Sequence, residues 1–174
     1  MIKWTRVRYR TAQFGRWILD SVRPPDLTYV RTRLPNPALV ALFTRMSRAD
    51  QHHGIAVART LEDRGHTDPD LIAAALLHDV GKIRARGSVW ARVMVVLGEW
   101  LLPRAAARWG EGRAKGLRRP FVVRQQHPMW GAEMAQRAGA PPVTVRLIRS
   151  HHNLSGDRHE DRPMLTALHA ADEE

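Results

Sequence analysis

The 174-residue chain predicts an all-α protein, and three observations carry that prediction. Every strong periodicity sets apolar residues three or four apart, the spacing of one helix face. No segment alternates apolar and polar residues long enough to propose a strand. Proline, glycine and short polar residues fall between the periodic runs, where helices start and stop. The length suits one domain, with residues 1–46 read as a basic N-terminal helical extension packed on or next to a core formed by 47–174.

The elements follow in order. Trp4, Val7, Phe14, Trp17 and Ile18 share one face of a basic amphipathic helix that closes before Pro24 and Pro25. Pro35 and Pro37 introduce a short helix over 38–46. Ser47 or Asp50 caps the next helix, and Gly65 ends it. Asp68-Pro69 is an acceptor followed by proline at the first helical position, opening a helix that runs to about Asp79 and stops at Gly81. Residues 88–102 form an apolar helix ended by Pro103. At about 22 Å it is shorter than the ~30 Å hydrocarbon core of a membrane, so it reads as a buried helix or an interfacial one. Residues 110–120 read as a basic loop. Pro128 begins a helix that Gly139 ends, and Pro141-Pro142 opens another to about His152. A polar loop over 153–162 precedes a last helix from Pro163.

Charge divides the chain differently. The net charge is +11 with no cysteine, which excludes disulfide scaffolds, thiolate metal sites and cysteine nucleophiles. Residues 1–48 and 82–124 carry net charges of +8 and +9, whereas 49–81 and 125–174 carry −4 and −2. All nine histidines lie in the two acidic blocks. Basic blocks attract phosphates, nucleic acid or anionic lipid, while acidic histidine-rich blocks suit a cation. No secretory signal is visible, so a cytoplasmic protein is expected, either free or peripheral to a membrane.

The chemistry lies where ionisable residues fall on apolar helix faces. His78 shares the stripe of Leu71, Ala74 and Ala75, and Asp79 that of Ile72, Ala75 and Leu76. His151 follows Ile148 and Leu147, and Asp172 follows Leu168 and Leu165. His53 precedes Val57 and Leu61, while its neighbour His52 precedes Ile55 and Ala56, so either could face inward, with periodicity favouring His53. His127 stands before Pro128, which predicts extended geometry at a helix mouth. Any one of these alone is a capping acid or a satisfied core histidine. A buried Asp costs several kcal/mol unless a positive group meets it, and five helices aiming such groups inward are explained together by a shared cation. Without thiolate, imidazole and carboxylate ligands suit Mn, Fe, Ni, Co or Zn.

These residues resemble a family. HHGIAVA around His53, AALLHDVGK from Ala74, HPMWGAEMA from His127, IRSHH ending at His152 and HAAD ending at Asp172 are similar to the ordered motifs of the HD-domain superfamily of metal-dependent phosphohydrolases. The resemblance covers roughly residues 47–172 and implies an α-helical bundle around one or two divalent metals. It implies that His53, His78, Asp79 and Asp172 hold one metal, and that His127, His151 and His152 hold a second, with Asp79 bridging. That pattern is shared by diadenosine-tetraphosphate hydrolases and HD-GYP cyclic-dinucleotide phosphodiesterases. The chain departs from HD-GYP proteins after the double histidine, where it reads HHNLSGDRHEDRP, which argues against cyclic di-GMP hydrolysis. Ala49 replaces the Glu of trinuclear members, so no third metal is expected.

The implied activity is cleavage of a nucleotide or related phosphoester or phosphoanhydride by a metal-activated water, with Asp79 and Lys82 as catalytic candidates. Lys82 either contacts a substrate phosphate or ends its helix as a solvated cation. Arg84, Arg119 and Arg124 are candidate phosphate contacts or simply basic surface. His66 and His159 are expected in solvent, and His169, three before Asp172, either supports the site or is exposed. The alternative is an HD-fold binding or sensor module that docks on nucleic acid or an anionic membrane through its basic N-terminal segment.

Overall fold

A computed structural model describes residues 23–85, 116–153 and 160–174. Seven α-helices are found among them: α1 Leu27–Arg33, α2 Pro37–Thr44, α3 Arg48–Asp63, α4 Pro69–Leu77, α5 Arg119–Arg137, α6 Pro142–Ser150 and α7 Arg162–Asp172. A 3-10 segment, Val80–Ala85, follows α4, and a shorter one, Gly116–Arg118, precedes α5. No strand occurs among the described residues, as the periodicity predicts. The predicted helices over 1–22 and 88–102, most of the basic loop before residue 116, and the loop with His159 lie outside the described residues.

The starts follow the sequence punctuation. Proline stands in the first two positions of α2, α4, α5, α6 and α7, where its missing N–H has no partner to lose. Asp68 Oδ1 accepts from the backbone N–H groups of Asp70 and Leu71 at 2.9 and 3.1 Å. Ser47 caps α3 by accepting from Asp50 N, and its own hydroxyl donates to the Asp50 carboxylate. The ends at Gly65 and Gly139 are left-handed turns, with φ of 84° and 83°. In both, the next residue's N–H reaches back to close the helix, His66 to Leu61 O and Ala140 to Ala135 O, each at 2.9 Å. Asn36 joins two elements, since its Oδ1 caps α2 while its Nδ2 donates to Ala138 O at the end of α5.

Three expectations change. Helix α1 is not predicted by the periodicity, because seven residues span under two turns; its one signal is Asp26 after the proline pair, which accepts from Tyr29 N at 3.0 Å. The helix expected to begin at Pro128 instead begins at Arg119, with Pro120 in its first turn and Pro128 in its interior. His127 is therefore helical, not extended, and the end of the expected basic loop is a 3-10 turn leading into α5. Proline disfavours a helical residue before it but does not forbid one when tertiary packing holds the helix.

Helix α4 is the axis of the core. Every residue from Leu71 to Gly81 is buried, because PDLIAAALL is apolar on all sides and is enclosed by α1, α3, α6 and α7. Residues 27–46 add Val30, Leu34, Leu39, Leu42 and Phe43 to the same apolar cluster, so this part of the expected extension packs into the core. Two glycines set the spacing. A Cβ on Gly54 would stand 2.8 Å from Leu76 O, where α3 crosses α4. One on Gly81 would stand 2.0 Å from His127 O and 2.7 Å from Gly131 N, where the 3-10 segment lies against α5. This packing leaves the C-terminal end of α4 facing the middle of α5 and the end of α6.

Candidate metal centre

The C-terminal end of α4 presents His78 and Asp79 to four other elements. His53 arrives from α3, His127 from α5, His151 and His152 from the end of α6, and Asp172 from the end of α7. Five imidazoles make a continuous chain, with ring centroids 5.2 Å apart for His53–His78, 5.1 Å for His78–His151, 5.2 Å for His127–His151 and 4.2 Å for His151–His152. Their ligand atoms fall into two groups, His53–His78–Asp172 and His127–His151–His152, each with all three atoms within 4.8 Å of one another.

Carboxylates tie the groups together. Asp172 Oδ1 lies 2.7 Å from His53 Nε2 and 3.3 Å from His78 Nε2. Asp79 spans the two groups, with Oδ2 at 3.6 Å from His78 Nε2 and Oδ1 at 3.2 Å from His127 Nε2. Lys82, one 3-10 turn on, places its ammonium against Asp79 Oδ2 and 3.8 Å from Asp50 Oδ1.

The rings are aimed by their other nitrogens. His78 Nδ1 donates to Ala75 O at 2.8 Å, His151 Nδ1 to Ile148 O at 2.7 Å, and His127 Nδ1 to Val123 O and Arg124 O at 2.9 and 3.0 Å. With one proton held on Nδ1 by these bonds, each Nε2 points inward as the nitrogen that faces a cation. His78 Nε2 is buried and makes no directed hydrogen bond. His127 Nε2 and His151 Nε2 face each other at 3.3 Å, where two lone pairs repel unless a proton or cation lies between them. This donor set fits divalent metal: an orphaned buried nitrogen, opposed lone pairs and a carboxylate with one oxygen toward each group.

The protonation states agree with that fit. Burial opposes charge on His78, but Asp79 and Asp172 outweigh it and carry the imidazole up to about 9 in the metal-free protein. Burial would raise Asp79 and Asp172, yet Lys82 and His78 hold the first, and His53 and His78 the second, well below the usual carboxylate range. Burial pushes His151 down, and the neighbouring His78 and His152 push it further. A cation therefore meets ionised carboxylates and displaces one proton from His78.

The remaining candidates divide. Of the adjacent histidines, His53 meets Asp172, while His52 turns outward to Arg23 O at 3.2 Å. Arg124 is exposed on α5, three residues before His127, and its charge is felt at His152. Arg119 is exposed in the first turn of α5. Arg84 turns to Glu133 at 3.0 Å and lies over the Trp130 ring, so its guanidinium already has a partner. His66 is half-buried behind Gly65, not fully in solvent. His169 sits one turn from Asp172 and approaches Glu173 at 3.6 Å. Sequence reasoning weighed Asp50 only as a cap, yet it is buried and reaches Lys82; its position one turn before His53 was the available signal.

Comparison with known families agrees with this geometry. The family model described as HD domain matches residues 51–173, and the chain belongs to that family. The match runs from α3 through α7 and includes every residue of both ligand groups. HD-domain proteins form a family of metal-dependent phosphohydrolases. No curated protein and no solved structure matches the chain.

Proposed function

We propose that this protein is a phosphohydrolase that uses two divalent ions to cleave a phosphoester or phosphoanhydride of a nucleotide or related compound. The observation that supports it best is Asp79, a buried carboxylate with one oxygen toward each ligand group. Held by His53, His78 and Asp172 and by His127, His151 and His152, with Asp79 between them, two divalent ions would supply the charge that activates a water and neutralises phosphoryl oxygens. The protein's own residues do the rest. Asp172 joins His53 to His78 and fixes the first group, while Asp79 sets its distance from the second. Lys82 balances the Asp79 charge, and in this reading its partly exposed ammonium is the group that meets a substrate phosphate. Arg124 and Arg119, exposed on the first half of α5, offer guanidinium forks to a polyanion.

The test is metal analysis of the purified chain followed by phosphate release from a panel of dNTPs, nucleoside monophosphates and linear dinucleoside polyphosphates. Two ions per chain and turnover lost in His78→Ala and Asp79→Ala are expected. Failure to turn over any of these substrates in Mn, Fe, Co, Ni or Zn would remove the reading.

The +8 charge of residues 1–48 favours an additional role, docking on nucleic acid or an anionic membrane. Retention on DNA or anionic vesicles should then fall with salt and with deletion of residues 1–23. Among the described residues no helix is long and apolar enough to cross a membrane.

A further inference from the structure

Two of the three innermost imidazoles are oriented by helix ends. His78 and His151 each follow the last residue of a helix, and each donates its Nδ1 proton to the carbonyl three residues earlier. Those carbonyls belong to final turns, where the helix supplies no N–H donor. His127 has no such end. It lies in the middle of α5, where carbonyls are ordinarily taken by the N–H groups four residues on.

Its Nδ1 nevertheless reaches Arg124 O at 3.0 Å as well as Val123 O at 2.9 Å. The residue four beyond Arg124 is Pro128, which has no N–H to give. We propose that Pro128 is a positioning residue for His127: by withholding one helical N–H it leaves, in mid-helix, a carbonyl that the His127 ring can take, as helix ends do for His78 and His151. The carbonyl holds the proton on Nδ1 and leaves Nε2 bare toward Asp79 and His151. Alanine at 128 would bring an N–H onto Arg124 O and compete with the imidazole for it. His127 would then keep only Val123 O, which already accepts the helical bond from its own N–H.

The inference rests on reading His127–His151–His152 as a metal group, and its test separates the two ideas. Wild type and Pro128→Ala would be compared as full chains by Mn(II) and Zn(II) titration, by thermal midpoint without metal, and by ring ¹⁵N shifts of His127. Loss of a partner that orients a metal-bound histidine typically weakens metal affinity by about 10–100-fold. Pro128→Ala should therefore weaken one of two ions by about that factor and leave the other. Its metal-free midpoint should hold or rise, because the helix regains a bond, and the ¹⁵N shifts should show a mixture of tautomers. A merely structural proline predicts the opposite, a lower midpoint with both ions weakened together, and that result would overturn the proposal. So would two ions bound with unchanged affinity and an unchanged Nδ1–H tautomer. A wild-type chain that takes up no second ion would instead overturn the metal reading of the group. Pro128→Ser, which also restores an N–H, should reproduce the alanine result; a normal tautomer in it would count against the mechanism.

Discussion

At the scale of single residues, Asp79 and His78 govern the charge of the centre. Because Asp79 is the only carboxylate among the described residues that approaches both ligand groups, Asp79→Asn should abolish uptake of both ions, measured as metal content after dialysis. His78→Gln should spare the His127–His151–His152 group. The His78 shift sets a pH dependence of known sign. Its metal-free value is raised from 6.5 to about 9, so its charge stabilises the metal-free fold fully below about pH 6.5, and that contribution is lost as pH rises through about 9. The thermal midpoint of metal-free protein should therefore fall between pH 7 and 9.5, and His78→Gln should flatten that slope. Metal uptake displaces the same proton, so affinity at the first group should tighten over the same interval. A midpoint that rises across that window would contradict the assigned ion pairs.

Elements position these groups by close approach as much as by apolar packing. The 3-10 segment carries Lys82 one turn after Asp79 and lies flat on α5 only because residue 81 has no side chain. Gly81→Ala would force its Cβ against His127 O and Gly131 N, backbone atoms that cannot swing aside. Overpacking of this kind costs about 1–3 kcal/mol, and here the displaced backbone is that of a ligand helix. The variant should lose metal affinity and melt earlier, as calorimetry with and without metal would record. The caps at Asp68 and Ser47 are worth about 1 kcal/mol each; Asp68→Ala should cost that much in a denaturant melt while leaving metal content unchanged. An Asp68→Ala chain that lost its metals would mean that α4 depends on its N-terminus more than on its buried surface.

For the whole molecule, metal binding and folding are coupled because the ligands come from α3, α4, α5, α6 and α7 and converge only when the helices pack. An ion held at 100 times its dissociation constant adds about 2.7 kcal/mol to stability. That corresponds to a rise of roughly 5–11 °C in midpoint for a chain of this size, reversible by chelator. A midpoint unmoved by Mn or Zn would show that the converged donors are not a metal site. The fold tolerates a charged His78 beside His151 because burial keeps His151 neutral and the carboxylates of Asp79 and Asp172 offset the His78 charge.

Much of this was legible before any coordinates. Helix identity, the ends at Gly65 and Gly139, the capping residues and the inward faces of His53, His78, His151 and Asp172 follow from spacing and backbone chemistry, which are local. The +11 charge separated basic blocks from acidic blocks that carry the ligands for the same reason, since composition needs no partner. Local rules failed where a distant contact overrode them. Pro128 reads as a helix start, yet α5 passes through it because Gly81 and His151 pack on that face and the imidazole of His127 takes up the carbonyl it frees. The short α1 is held by Tyr29 and Arg33 bonding to Glu62 of α3, contacts that no seven-residue pattern encodes. Periodicity could say that these groups point inward. Only tertiary packing could decide that Asp79 stands between two triads and that Lys82, three residues after Asp79, also reaches Asp50, because those contacts join residues on separate elements.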